Sequence, residues 1–158
     1  SFEADAFVAM AHALDLSSLE PLMRLRIALF DSTGKLSPRV VVNAFSRYLV
    51  HLSLASSEWR IRSEADAKRH FRLFMEMLGA KVTAEESSAL GAADAIIETS
   101  EHVWVFEFKI NKSAKAAVAQ IRAKGYADPY RGDRRPVTLV GINFRTAKRN
   151  IDEPVFAS

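Results

Sequence analysis

Apolar positions recur along this chain with two different periods. Over residues 2–15, Phe2, Phe7, Met10, Ala11 and Leu14 follow the three-and-four spacing of an amphipathic helix. Ser17 or Ser18 caps a second helix, with Glu20 and Pro21 in its first turn and Leu22, Leu25 and Leu29 along one side. The polar run 31–35 is a turn. Ser37-Pro38 opens a third helix with Val41, Ala44, Phe45, Tyr48 and Leu52 on one side. A fourth starts at Ser63, carries the stripe Phe71, Phe74, Met75 and Leu78, and stops at Gly79.

From residue 80 the period changes. Residues 80–86 read as a short strand, and 92–98 and 103–110 are two apolar runs joined by the polar connection 99–102, the pattern of a hairpin. Trp104 falls on the solvent side or under a helix. Ser113 caps a helix over 113–127 whose apolar face uses Ala117, Val118 and Ile121, and Asp128-Pro129 ends it. Residues 137–144 form a buried strand, parallel to a neighbour because a helix crosses between. Residues 151–156 add an edge strand, where Pro154 is tolerated. The order is αβββαβ, an α/β class with a mixed sheet flanked by helices. Residues 1–60 are expected as a helical extension or connector, and 61–158 as the domain proper.

The hairpin carries charge where strands seldom do. Asp94 opens its first run, and Glu107 and Lys109 close the second. Residues two apart share a strand face, so Glu107 and Lys109 point the same way, and pairing of the runs sets Asp94 opposite them. A carboxylate inside a strand is costly unless it is paired or bound to a cation. Two on one face suit a hard, oxygen-seeking ion such as Mg2+ or Mn2+, and a lysine beside it can serve an attacking water or a phosphate. The competing explanation is a solvated hairpin with a cross-strand ion pair. Gln120 and Lys124, four apart, share a helix face that looks back at Glu107 and Lys109.

Composition narrows the partners. Net charge over the 158 residues is +3, but residues 1–108 hold 11 Lys and Arg against 15 Asp and Glu, while 109–149 hold 11 against 2. That asymmetry points to an anionic partner for the C-terminal half. No apolar run is long enough to span a bilayer, so no membrane partner is expected. Cysteine is absent, which excludes disulfides and thiolate metal sites and fits a reducing, cytoplasmic setting. The start at Ser1 suggests a fragment of a longer chain. His12 and His51 sit on mostly apolar helices and read as structural residues.

Four ordered motifs carry a family resemblance: Gly91-x-x-Asp94; Val105-Phe106-Glu107-Phe108-Lys109; Gln120-Ile121-x-x-Lys124-Gly125-Tyr126-Ala127; and Val140-Gly141-Ile142-Asn143-Phe144. Over about residues 60–155 the chain resembles the PD-(D/E)XK nuclease superfamily. More narrowly, it is similar to the bacterial family whose nuclease-like domain often lies C-terminal to an AAA-ATPase-like domain. The resemblance implies a restriction-endonuclease-like fold and metal-dependent cleavage of nucleic acid, DNA in the first instance. Asp94 and Glu107 would hold the metal with the carbonyl of Phe108, and Lys109 would assist the attacking water. Glu64 would face the site from the first core helix, and Gln120 would support it. Glu85 matches a Glu that the family often shows before the glycine. Lys112, Lys115, Arg122, Lys124, Tyr126, Arg131, Arg134 and Arg135 are the candidate backbone contacts, with packing under the site the alternative for Tyr126. One position departs: the family usually has Arg after the glycine of the first motif, and here it is Ala92. A nuclease-fold module that binds nucleic acid or protein without cutting is therefore the alternative reading. An ATPase-like portion of the same parent chain is a further expected partner.

Overall fold

The computed structural model describes residues 37–55, 60–77, 82–83, 91–132 and 134–158. The two helices expected before residue 36, the turn at 31–35, His12, Gly79, Glu85 and most of the strand 80–86 lie outside them.

Helix α1 (Pro38–Ala55) starts where Ser37 and Pro38 dictate, with Ser37 Oγ accepting the Val40 amide at 3.4 Å. Its expected stripe is buried: Val41, Ala44, Phe45, Tyr48 and Leu52 are all within 2% of full burial. Helix α2 (Glu64–Met77) is capped by Ser63, whose Oγ accepts the Asp66 amide at 3.1 Å; Asp66 reaches back to the Arg62 amide at 3.0 Å. Beside Phe71, Phe74 and Met75 it buries His70, which the periodicity did not single out. His70 Nδ1 meets the Tyr48 hydroxyl at 3.4 Å, and burial holds its pKa down at about 4.

Strands β1 (Val82–Thr83), β2 (Ala95–Glu98), β3 (Val103–Ile110), β4 (Val137–Arg145), β5 (Asn150–Ile151) and β6 (Val155–Ala157) form one sheet in the order β1-β2-β3-β4-β5, with β6 also on β4. Only β3 and β4 run parallel, joined by helix α3 (Ala114–Lys124); the other described pairs are antiparallel. The sheet is mixed and flanked by helices, as a restriction-endonuclease-like fold requires.

Alternation along β3 sorts the layers. Trp104, Phe106 and Phe108, with Val140, Ile142 and Phe144 of β4, face α1 and α2. Val103 and Val105, with Val137 and Leu139, face α3. Trp104 thus lies under the helices, 3% exposed. Phe71 is the hub of the aromatic layer, with ring centroids 5.2 Å from Phe45, 4.7 Å from Phe106 and 5.2 Å from Phe108. Helix α1, assigned on sequence to the connector, therefore packs in the same core as the sheet.

Two expected boundaries move. Helix α3 begins with Ser113 as its cap, but it ends at Gly125 rather than at Asp128-Pro129. Gly125 sits at φ 66°, where the absence of a Cβ removes the steric cost, and the Tyr126 amide closes on the Ile121 carbonyl at 3.1 Å. Asp128–Tyr130 is a separate 3-10 turn. The single edge strand expected over 151–156 is two short ones. Ile151 pairs with Phe144 while Val155 pairs with Gly141, so one residue is inserted between them. The inserted region holds Pro154, which has no amide to give a ladder, and Glu153, which turns out to Arg39 of α1 at 2.7 Å.

Gly141 sets how close α3 lies to the sheet. A Cβ built there would stand 2.2 Å from the Ala114 carbonyl oxygen and 2.8 Å from Val118 Cγ2. Backbone on both sides leaves little room to yield. Gly141→Ala is expected to cost about 1–3 kcal/mol by overpacking. A denaturant titration that leaves the unfolding midpoint unchanged would refute this close packing.

Candidate active site

β3 and β2 pair with Ala95 opposite Phe106, so the next step along the register brings Asp94 level with Glu107. The Asp94 amide donates to Glu107 Oε2 at 3.4 Å, and Asp94 Oδ2 accepts the Phe108 amide at 2.8 Å. Asp94 is thereby fixed at the point where β2 has not yet begun to pair. In an extended residue the amide and the carbonyl face the same side. The Phe108 carbonyl accordingly faces the edge where Asp94 stands.

Glu107 points to the α3 side of the sheet and is 4% exposed. Its Oε1 accepts from Gln120 Nε2 at 2.9 Å, and Gln120 Oε1 accepts from Lys109 Nζ. Gln120 therefore links Glu107 to Lys109 with its amide orientation fixed by one donor and one acceptor. Burial first, and then the Asp94 charge, push the Glu107 carboxyl up to about 8. A cation between the two carboxylates would remove both penalties. The donors are two carboxylates and a carbonyl, hard oxygens of the kind that suit Mg2+ or Mn2+. Among the described residues no group of three or more His, Cys, Asp or Glu side chains is gathered as a metal cage.

The other expected residues divide. Glu64, at the start of α2, is half-exposed and pairs with Lys112 Nζ at 3.8 Å. Lys115, Arg122, Lys124 and Arg131 are exposed on α3 and just beyond it. Of the two alternatives for Tyr126 the packed one is found, and the backbone contact is corrected: the residue is 5% exposed, its ring packs in the α3-side core, and its hydroxyl lies against Gly91. It supports the segment leading to Asp94 and is not open to a nucleic-acid backbone. Arg134 and Arg135 both reach the hairpin tip. Arg135 meets Glu98 Oε1 and the Thr99 carbonyl, both at 3.0 Å, and Arg134 meets Glu101 at 3.6 Å. Glu98 is level with Val103, four residues or roughly 13 Å along β3 from Glu107.

Two further residues at the site had no role assigned by pattern. Lys68 of α2 stands 3.8 Å from Asp94 Oδ1. Its signal was faint: it lies one turn after Glu64 on the same helix face. Asn143 is fully buried on β4, opposite Lys109. Its Oδ1 accepts the Lys112 amide at 2.9 Å and its Nδ2 donates to Asp152 Oδ2 at 2.8 Å. An amide inside an otherwise apolar strand is the signal there. Asn143 and Asp152 hold the turn that carries the chain from Lys109 into α3, and Arg145 Nε adds to Asp152 at 2.9 Å.

Comparison with known proteins gives this arrangement a family. The family profile described as the PD-(D/E)XK nuclease superfamily matches residues 62–154, more than half of the chain. The chain belongs to that superfamily. An uncharacterized protein in the vnfD 5' region of Azotobacter chroococcum mcd 1 is 36% identical over 76 residues, 47% of this chain. The match spans 15% of that relative's length. No solved structure matches. No helix among the described residues is long and apolar enough to cross a membrane.

The raised Glu107 pKa fixes a sign for stability. Between its ordinary value and about 8, the folded state keeps a proton that the unfolded chain has lost. The resulting stabilisation is complete at low pH and is lost as pH rises. His70, held near 4, works the other way and only below about 6.5. With chelator present, the melting temperature is therefore expected to fall between pH 6.5 and 8, and Glu107→Gln should flatten that fall. Parallel profiles for the two proteins by scanning calorimetry would contradict it.

Proposed function

We propose that this domain hydrolyses phosphodiester bonds of DNA with Mg2+ or Mn2+ held by Asp94, Glu107 and the carbonyl of Phe108. The observation that carries the reading is the linked set Asp94, Glu107, Gln120 and Lys109, gathered around a buried carboxyl whose pKa is raised by burial and by Asp94. When bound, the cation supplies a polarised phosphate oxygen and a water of lowered pKa. Lys109 orients the attacking water and offsets charge that builds on the phosphorane-like oxygens. Gln120 keeps Lys109 at a fixed distance from Glu107. Glu64 lends negative charge at the rim. Lys112, Lys115, Arg122, Lys124 and Arg131 hold the backbone through contacts that carry no base sequence.

The second reading is a nuclease-fold module that binds without cutting, and Ala92 in place of the family's arginine favours it. Superfamily membership alone does not decide between them. Attachment to an ATPase-like portion remains a proposal too, in keeping with a relative several times longer than the shared stretch.

Labelled single- and double-stranded DNA, incubated with Mg2+ or Mn2+, tests the proposal directly. The wild type is expected to cut. Lys109→Ala and Asp94→Ala should each lose about a hundredfold or more in rate, with DNA affinity changed by less than about threefold for Lys109→Ala, one phosphate contact at most. Equal binding by all three without cutting would remove the nuclease reading and leave the binding module.

A further inference from the structure

The two oxygens of Asp94 stand in different surroundings. Oδ2 is committed to the Phe108 amide at 2.8 Å. Oδ1 faces Lys68 Nζ at 3.8 Å, too long for a hydrogen bond and held by charge alone. Lys68 comes from α2, across the sheet edge from Lys109, and its side chain is 33% exposed. One turn earlier on the same helix, Glu64 is met by Lys112 at the same loose 3.8 Å. Lysines from two elements thus reach over the carboxylates, one of them on the oxygen of Asp94 that the backbone leaves open. Lys109 differs, because its ammonium is hydrogen-bonded to Gln120.

We propose that Lys68 is a phosphate-binding residue of the site, resting on Asp94 Oδ1 until a divalent cation takes that oxygen and then turning to the substrate phosphodiester. This rests on the reading of Asp94 and Glu107 as cation ligands. The physical basis is competition for one oxygen. An ammonium and a divalent ion repel, so Lys68 must leave Oδ1 when the ion arrives. A loose, partly exposed pair is cheap to break. The four-carbon stem then carries a compact charge to the nearest anion, which in a loaded site is the phosphate. Lys68 therefore weakens cation binding in the free protein and strengthens DNA binding in the loaded one.

These opposite signs give the test. Mn2+ binding to the DNA-free protein is followed by the loss of the free-ion paramagnetic resonance signal. DNA binding is followed by anisotropy of a labelled duplex in Ca2+, which shares the oxygen preference. Lys68→Met should bind Mn2+ roughly two- to fivefold more tightly. It should bind the duplex about fivefold more weakly, with a salt slope smaller by about one. Lys68→Arg should keep DNA affinity near that of the wild type. Misfolding weakens both, so a gain for Mn2+ beside a loss for DNA cannot come from it. If Lys68→Met melts like the wild type yet weakens both or changes neither, while Asp94→Ala loses Mn2+, the role of Lys68 falls and the cation site stands. If the wild type takes up no Mn2+, or Asp94→Ala takes up as much, the cation site falls and the role of Lys68 goes with it.

Discussion

A carboxyl group on the middle strand of the sheet, 4% exposed and level with a second carboxylate, is the constraint around which this domain is arranged. Left alone, a buried Glu107 costs more than a strand position can return. The fold answers with donors from three directions: the Asp94 amide from β2, the Gln120 amide group from α3, and Lys109 through Gln120. Gln120 can reach only because α3 lies close on β4, and Gly141 allows that approach. A buried carboxyl whose pKa is raised by burial and by a specific charged neighbour marks a candidate functional site.

The opposite face of the sheet does the mechanical work. Phe71 and its aromatic neighbours pack α1 and α2 on Phe106 and Phe108, the residues on either side of Glu107 in the chain. Alternation therefore clamps β3 from one face while its other face presents chemistry. Beyond the strand, the turn at 111–113 is held by Asn143, itself fixed by Asp152 and Arg145. Lys109 and Gln120 lie on the two sides of that turn, so its rigidity is inherited by the distance between them.

Much of this was legible in the chain because local periodicity determines it. The two-residue alternation of 103–110 set Glu107 and Lys109 on one face, and a short polar link between two apolar runs implied the hairpin that levels Asp94 with Glu107. Four-residue spacing placed Gln120 toward them. What was not legible depends on distant packing. Tyr126 reads equally as a buried or a backbone-facing aromatic until the helix stops at Gly125 and turns it inward. The split of the last strand is a one-residue insertion that appears only in its pairing with β4. Lys68 belongs to the site only because α2 brings it within 3.8 Å of Asp94. The arginines at 134 and 135 look like phosphate clamps by composition, and the structure adds their contacts to the hairpin tip.

The stretch that matches the superfamily begins at residue 62, after α1 has ended. Yet Phe45, Tyr48 and Leu52 of α1 share one apolar cluster with Phe71, Phe106 and Phe144, and Ser46 exchanges hydrogen bonds with Asn150. The boundary of kinship and the boundary of cooperative folding therefore fall in different places. A protein trimmed to the family's limits would keep every residue proposed for chemistry and lose one wall of the core that holds them, exposing a greasy sheet face prone to self-association. A shortened chain that clumps or stays silent in an assay would then report on its missing wall and leave the chemistry unjudged.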